Sequence, residues 1–267
     1  MLDLLIRQGY EVRLLSHASA ILAVDFPEAI AELERTLVDF RIPITEIIGS
    51  GGGETKGTQR LRRGLAEHGW VKTNFEVKKT INGVERESVS HEVDHVRSFE
   101  NGVIALEIEW NNKDPFFDRD LENYKRLHAE GGISVGVIIT RGSRLQANMR
   151  SLIERFAKER NIQSFDDLAA LGLEPTSKQR SAVNKRVSRF KEPLTFQDAW
   201  VQNFVSNKFG AATTHWRKLI DRVDRGVGNP CPLLLIGMPD TIVTFDPQAV
   251  IEVIDEEVDG DVAADAS

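Results

Sequence analysis

Two glutamates stand one residue apart near the end of an apolar stretch, in "ALEIEWNNKDP" (105–115). The preceding residues favour a β-strand, and alternate side chains of a strand point to the same face, so Glu107 and Glu109 would lie roughly 6–7 Å apart. Two carboxylates at that distance repel each other unless a cation or a proton offsets their charge. The alternative is a half-exposed hairpin whose solvent face happens to be acidic.

A third carboxylate reaches the same place if the hairpin before this strand turns at its Asn-Gly dipeptide (101–102). A two-residue type I′ turn there pairs residue 100 with residue 103 and sets Asp94 opposite Glu109, within about 6 Å Cα to Cα. Opposed residues project to one face, so we predict that Asp94, Glu107 and Glu109 converge. Divalent cations with oxygen ligands, most often Mg²⁺ or Mn²⁺, relieve such repulsion.

The segment "VDHVRSFENGVIALEIEW" (93–110) resembles the PD-(D/E)XK restriction-endonuclease superfamily, in its BamHI/BglII-like branch. That signature is an acid, a spacer and a (D/E)-x-K element on the next strand, and Glu109 occupies the place of the lysine. Two further segments, "IGSGGGETKGTQRLRRGL" (48–65) and "ISVGVIITRG" (133–142), are similar to that branch as well. The resemblance covers about residues 45–155.

The resemblance implies metal-dependent phosphodiester hydrolysis, with Asp94, Glu107 and Glu109 at the catalytic positions. It implies that Asp94, Glu107 and the backbone carbonyl of Ile108 hold Mg²⁺, for which Mn²⁺ may substitute. Glu109 would be a ligand or would position the attacking water. Lys113 follows the strand and would need a turn to reach back into the site.

Two more glutamates are candidates for orienting the metal site. Glu54 stands at the start of a helix after a glycine-rich turn, where a negative charge is also favourable for the helix dipole alone. Glu76 lies on the first strand of the hairpin that turns at 82–83.

Basic segments are candidates for contact with DNA. Residues 177–191, "SKQRSAVNKRVSRFK", carry six basic residues and no acid, a pattern that fits either phosphate contact or a solvated helix face. Residues 141–150 leave a buried strand with three arginines, and by the resemblance this loop lies near DNA. The candidate DNA-binding residues are Arg141, Ser143, Arg144, Asn148, Lys185, Arg186 and Arg189.

Strands and helices alternate along the chain, so the class is α/β with an antiparallel start. The predicted helices lie at 27–42, 55–68, 118–130, 143–160, 164–171, 177–191 and 195–206, and a buried strand lies at 131–140. With the resemblance, we expect a restriction-endonuclease-like core, in which helices flank a mixed central sheet, and a more helical C-terminal part.

Composition is that of a globular protein of 267 residues, with 41% hydrophobic and 28% charged residues. We expect an endonuclease core at 1–160, a helical extension with a returning strand at 161–252 in the same domain, and an acidic disordered tail at 253–267. Nine of the 41 acids follow Arg225, where Lys and Arg are absent, so the rest of the chain is close to neutral. There is no long apolar run, and Cys231 is the single cysteine, which favours a cytoplasmic protein without membrane contact.

The sequence therefore predicts a Mg²⁺-dependent type II restriction endonuclease that acts on double-stranded DNA. A palindromic site and a homodimer are expected, because paired sites cut both strands simply. A cognate DNA methyltransferase is expected in the host, without direct contact. The alternatives are a structure-specific repair or recombination nuclease on the same core, a DNA-binding relative without catalysis, and a glycosidase, which also uses paired carboxylates.

Overall fold

A computed structural model describes residues 1–49 and 55–251, apart from the side chains of residues 86 and 87. Its helices are α1 (Asp3–Arg7), α2 (Ala18–Asp25), α3 (Pro27–Val38), α4 (Ile44–Gly49), α5 (Lys56–Ala66), α6 (Phe116–Ala129), α7 (Ser143–Glu159), α8 (Phe165–Ala170), α9 (Ser177–Val187), α10 (Phe196–Lys208) and α11 (Trp216–Val223). Its strands are β1 (Glu11–Leu15), β2 (Ile42–Pro43), β3 (Val71–Ile81), β4 (Val84–Phe99), β5 (Gly102–Glu109), β6 (Val135–Arg141), β7 (Leu233–Met238) and β8 (Val243–Thr244).

Six strands form one mixed sheet in the order β1-β7-β6-β5-β4-β3, and β2 pairs separately with β8. Strands β5, β6 and β7 are parallel, whereas the outer pairs are antiparallel. Strand β7 lies between β1 and β6, so the last part of the chain completes a sheet that the first part begins. Helices cover the sheet, and residues 143–223 are mostly helical, which confirms the predicted α/β class and mixed sheet.

Helix α6 lies close against β5 and β6 because β6 has a glycine beneath it. A Cβ on Gly136 would overlap the ring of Tyr124, which packs directly on this strand. The Tyr124 hydroxyl donates a 2.8 Å hydrogen bond to the carbonyl of Val137. Phe117 and Leu121 are fully buried on the same helix face. This contact fixes the height and the rotation of α6 above the end of β5.

The long hairpin β3–β4 turns where the sequence predicts, at Asn82-Gly83. Both turn residues have positive φ angles of 53° and 77°, as a type I′ turn requires. Near its base the hairpin has a β-bulge, since β4 has two residues, Asp94 and His95, opposite Lys72 alone. Bulges occur often beside active sites because they redirect a side chain.

The predicted register between β4 and β5 is wrong by two residues. Phe99 pairs with Gly102, so the turn residues are Glu100 and Asn101, and the register places Asp94 opposite Glu107 rather than Glu109. Gly102 is a strand residue whose φ of 147° and lack of a Cβ allow it to pass Ser134. A shift of two residues keeps every side chain on its predicted face, so the acids remain together.

Most predicted helices are present, with ends that differ by a few residues. The helix predicted at 27–42 ends at Val38, because Ile42–Pro43 forms a strand with β8. The basic helix starts at a capping box of Thr176 and Gln179 and ends at Val187. The glycine-rich turn at 50–54 and the predicted disordered tail at 253–267 lie outside the described residues. Within the described residues, no helix is long and apolar enough to span a membrane.

Candidate active site

A cleft opens beside the carboxyl end of β5, between the bulged strand β4 and the start of α6. Its volume is about 560 Å³. Acidic and amide side chains dominate its lining, which consists of Ser90, His91, Glu92, Asp94, Glu107, Ile108, Glu109, Asn112, Phe116, Arg119 and Asn123. All three predicted acids therefore reach one cleft.

Glu107 is buried on the β5 face that α6 covers, and it contacts the bulged strand directly. Its Oε1 accepts a 3.3 Å hydrogen bond from the backbone N–H of Asp94. The Asp94 side chain is 56% exposed, and its Oδ1 lies 3.8 Å from the ammonium of Lys72. Glu107 thus forms the floor of the cleft, while Asp94 forms its rim.

Glu109 is only 2% exposed and has two polar neighbours from the loop and helix that follow β5. Asn112 donates a 2.8 Å hydrogen bond to Glu109 Oε2, and the Arg119 guanidinium lies 3.8 Å from Oε1. The backbone carbonyl of Glu109 accepts a 2.7 Å hydrogen bond from the buried Thr140 hydroxyl on β6. These contacts orient the carboxylate toward α6.

Asp120 on α6 is a fourth acid of this cluster, and the sequence analysis missed it. Its side chain is 1% exposed and lies within hydrogen-bonding contact of Glu109. Its Oδ1 accepts hydrogen bonds from Arg119, at 2.9 Å from Nε and 2.8 Å from Nη2. A signal was present, because Asp120 falls between Phe117 and Tyr124 on the apolar stripe of a predicted helix, where a carboxylate is unexpected.

Burial and mutual repulsion make these carboxyls hard to ionise. Burial, and then the charge of Asp120, raises the pKa of Glu107 well above its usual value. The same two causes raise the pKa of Glu109 to about 8. Burial also raises the pKa of Asp120, although Arg119 opposes the rise. The cluster therefore favours a bound proton or a bound cation.

The donor set fits a hard divalent cation. Asp120 Oδ2 is buried and has no hydrogen-bond donor among the described residues. Arg119 is the positive partner of Oδ1, and Oδ2 is an oxygen of the kind that a hard cation binds. Within residues 1–49 and 55–251, however, no three His, Cys, Asp or Glu side chains already enclose a common point as a metal cage. Asp94 is turned toward Lys72, so a complete ligand set requires its carboxylate to turn inward.

The chain matches the family model described as "Restriction endonuclease BglII/BglIII" over residues 10–238. The chain belongs to this family. No curated protein is significantly similar to the chain. Family membership makes the chain a restriction endonuclease of type II, whose substrate is DNA and whose activity is site-specific cleavage, and enzymes of this kind generally depend on divalent metal ions.

The remaining metal-site candidates of this endonuclease differ in their positions relative to the acids. Ile108 lines the cleft between the two glutamates, and its carbonyl stays a predicted ligand. Glu54 lies outside the described residues. Glu76 does not reach the acids, because it pairs across β3–β4 with Ser90, roughly 13 Å along the strand from Asp94, and forms a 2.9 Å ion pair with Lys78.

The cations nearest the acids come from places that the sequence analysis did not consider. Lys72 on β3 contacts Asp94, and Arg119 on α6 contacts Glu109 and Asp120. Lys113, the lysine considered from the sequence, pairs through its backbone with Thr213 and is not part of the cleft lining. Positive charge therefore reaches the site from the edge strand and the covering helix rather than from β5.

The burial of Arg141 contradicts the prediction that this residue contacts DNA. Its side chain is fully buried, and its guanidinium donates hydrogen bonds to the Thr213 hydroxyl at 2.7 Å and to the Thr214 carbonyl at 2.6 Å. The guanidinium also lies over the Phe209 ring, 4.9 Å from its centroid. Both faces of β6 are buried through its last residue, so this side chain lies inside the protein and supports the fold instead.

The other candidates from this segment lie in the first turns of α7, where acids of the chain itself bind them. The Ser143 hydroxyl donates to Glu11 at 2.7 Å. Asn148 donates a 2.6 Å hydrogen bond to Asp240, and Arg144 lies 3.3 Å from the same carboxylate. Arg144 is 63% exposed and could exchange Asp240 for a phosphate, whereas Asn148 would have to break a short hydrogen bond.

The basic helix α9 presents its candidates unequally. Lys185 and Arg189 are exposed, so both remain available for phosphate contact. Arg186 is half-buried, and its guanidinium donates to the Gln202 side chain at 3.0 Å and to the Ala182 carbonyl at 2.8 Å. Arg186 therefore helps to hold α9 against α10.

Proposed function

We propose that this chain is a Mg²⁺-dependent type II restriction endonuclease that hydrolyses phosphodiester bonds of double-stranded DNA at a palindromic site. The observation that carries the proposal is the acidic cluster at the end of β5, where Asp94, Glu107 and Glu109 meet in an open cleft of a restriction-endonuclease fold. Mn²⁺ is expected to substitute for Mg²⁺, because both accept oxygen ligands.

The residues would share the work as follows. Asp94, Glu107 and the Ile108 carbonyl would hold the metal ion, which when bound lowers the pKa of water and offsets the charge of the scissile phosphate. Glu109, positioned by Asn112, would be a further ligand or would orient the attacking water.

Two cations would act from the side chains around these acids. Lys72 would release Asp94 and approach the phosphate, which gives this chain a positive charge in place of the missing signature lysine. Arg119 would remain with Asp120 and limit the negative charge at the base of the cleft.

A homodimer follows from the substrate, since two copies related by a two-fold axis present equivalent clefts to the two strands of a palindrome. A cognate methyltransferase that protects host DNA, without contact to this chain, is part of the same proposal. A cytoplasmic location is expected because the substrate is intracellular DNA.

The test is digestion of a large DNA with Mg²⁺, followed by sequencing of the fragment ends. Discrete fragments whose ends share one palindromic motif are expected, and EDTA should abolish them. Ca²⁺ should support binding with little or no cleavage, because it tolerates looser geometry and activates water less well. Full cleavage in excess EDTA would refute the metal site, and cleavage at junctions or flaps without a common sequence would indicate a structure-specific nuclease.

A further inference from the structure

The buried carboxylate of Asp120 lacks a structural explanation of the usual kind. It lies on the apolar face of α6, between Phe117 and Tyr124, where burial of a charge is costly. Arg119 satisfies Oδ1, but Oδ2 has no donor among the described residues. A partner is therefore required that the side chains around it do not supply.

Besides Arg119, the charged neighbour of Asp120 is another acid, Glu109. Asp120 and Glu109 both contact the Arg119 guanidinium, which lies 2.8 Å from Asp120. When both are ionised, their nearest cation is Arg119, whose side chain is 54% exposed and lies 3.8 Å from Glu109. A single guanidinium at the edge cannot balance Glu107, Glu109 and Asp120 together.

We propose that Asp120 belongs to the metal site as a carboxylate supplied by the helix that covers β5, acting next to Glu109 and Arg119, which line the cleft. The inference rests on the proposed function, since it concerns the same divalent cation. The rigid contact of Tyr124 with Gly136 and Val137 keeps Asp120 at this height, so the carboxylate is preorganised. Its role is to strengthen cation binding and to hold Glu109 in place.

The decisive variant is Asp120→Asn, tested by Mn²⁺ titration of the DNA-free protein with calorimetry and with paramagnetic resonance of the free ion. The amide keeps the acceptor for Arg119 and can donate to Glu109, so the melting temperature in EDTA should stay equal or rise. Affinity for Mn²⁺ should fall about 10-fold or more. The rise of melting temperature on addition of Mn²⁺ should shrink in parallel.

The matched control is Glu122→Gln, which removes one negative charge from the exposed side of the same helix, where Glu122 pairs with Lys125. It should bind Mn²⁺ as the unaltered protein does. Asp120→Asn that binds Mn²⁺ with unchanged affinity would overturn the inference. If this variant fails to fold, the smaller Asp120→Ser gives the same comparison.

Glu107→Gln separates this inference from the proposed function. If the unaltered protein binds Mn²⁺, Glu107→Gln removes the binding and Asp120→Asn does not change it, only the role of Asp120 is refuted. If the unaltered protein does not bind Mn²⁺, or if Glu107→Gln binds it equally well, the metal site itself is refuted and the role of Asp120 with it.

Discussion

The neighbouring parallel strands β5 and β6 end in buried charges of opposite sign, and the surroundings of these two charges differ. Glu109, the last residue of β5, pairs with Thr140, and the next residue of β6 is Arg141. The acids at the end of β5 face an open cleft and repel one another. Arg141 is enclosed. Two threonine oxygens accept hydrogen bonds from its Nη2 and the Phe209 ring covers its guanidinium, whereas Nε and Nη1 have no hydrogen-bond partner among the described residues.

The difference teaches how to distinguish a functional charge from a structural one. Burial lowers the pKa of Arg141 to about 9 and raises that of Glu109 to about 8, so both groups are perturbed. Both regions also hold buried polar atoms without a hydrogen-bond partner among the described residues, Asp120 Oδ2 in one and Arg141 Nε and Nη1 in the other. Of the two regions, only the acids border a cleft that a ligand can enter. Access for a ligand therefore marks the catalytic region more reliably than a shifted pKa or an unpaired polar atom alone.

The two regions are also connected. Arg141 holds Thr214 through its carbonyl, and the Thr214 N–H donates a 2.8 Å hydrogen bond to the carbonyl of Asn112. The Asn112 side chain in turn orients Glu109. The enclosed arginine thus supports the loop that positions Glu109, one of the acids that line the cleft.

Glu107→Gln should have the largest effect on cleavage. A small effect would contradict the view that the acids at the end of β5 are functional and Arg141 is structural. We expect cleavage to fall at least about 10²-fold, because an amide is a poor ligand for a hard cation. The melting temperature in EDTA should stay equal or rise, because a buried carboxylate becomes neutral while Oε1 still accepts from Asp94. Cleavage rates and thermal melts measure the two effects, with Glu122→Gln as the control. A variant that cuts at the original rate would show that the cluster is not the active site.

Arg141→Ala should show the opposite pattern. It removes two hydrogen bonds and the contact with Phe209, and it leaves a cavity, so we expect a loss of about 3 kcal/mol in the free energy of unfolding. Chemical denaturation measures this loss. The matched control is Arg150→Ala, an exposed arginine paired with Glu154, which should cost less than about 1 kcal/mol. Equal losses in the two variants would mean that the burial of Arg141 is not stabilising.

Local patterns predict much of this fold, because helices and hairpins depend on neighbours in sequence. The amphipathic stripe and early proline of α3 and the Asn82-Gly83 turn are confirmed. The register of the β4–β5 hairpin could not be predicted from residues near the turn. It depends on the packing of Gly102 against Ser134, a contact across 32 positions of the chain that no turn rule contains.

The candidate site divides in the same way. The strand alternation of Glu107 and Glu109 is local, and both lie on the predicted face. Asp120 reaches Glu109 only because α6 packs on β6, and Lys72 reaches Asp94 only through the bulge of β4. The assignment of Arg141 failed because the strand predicted to end at residue 140 includes Arg141, and both faces of that strand are buried.

The pH dependence of stability sharpens the contrast between the acids and an ordinary surface carboxylate. The pKa of Glu109 is raised from 4.5 to about 8, chiefly by burial and next by Asp120, so the folded state binds this proton more tightly than the unfolded state. Its stabilising contribution is therefore present at low pH and is lost as the pH rises from 4.5 through 8. Glu109→Gln should raise the melting temperature in EDTA more at about pH 9 than at about pH 5. An equal difference at both pH values would contradict the raised pKa.

Arg189→Ala should have the smallest effect and tests a third kind of arginine, exposed on the loop that follows α9. Because Arg189 is exposed and Arg186 is held by Gln202 and Ala182, we expect the exposed residue to contact DNA phosphate. Its removal should reduce the slope of log K against log salt by about one unit, equally for cognate and unrelated DNA. Arg186→Ala should mainly lower the melting temperature, by the loss of its contacts within the protein. Gel-shift titrations in Ca²⁺ at several salt concentrations, run beside thermal melts, measure both.

If the slope falls for Arg186→Ala and not for Arg189→Ala, then Arg186 exchanges Gln202 for phosphate on binding. In that case α9 would approach DNA through the face that now packs against α10, and that packing would have to open in the complex.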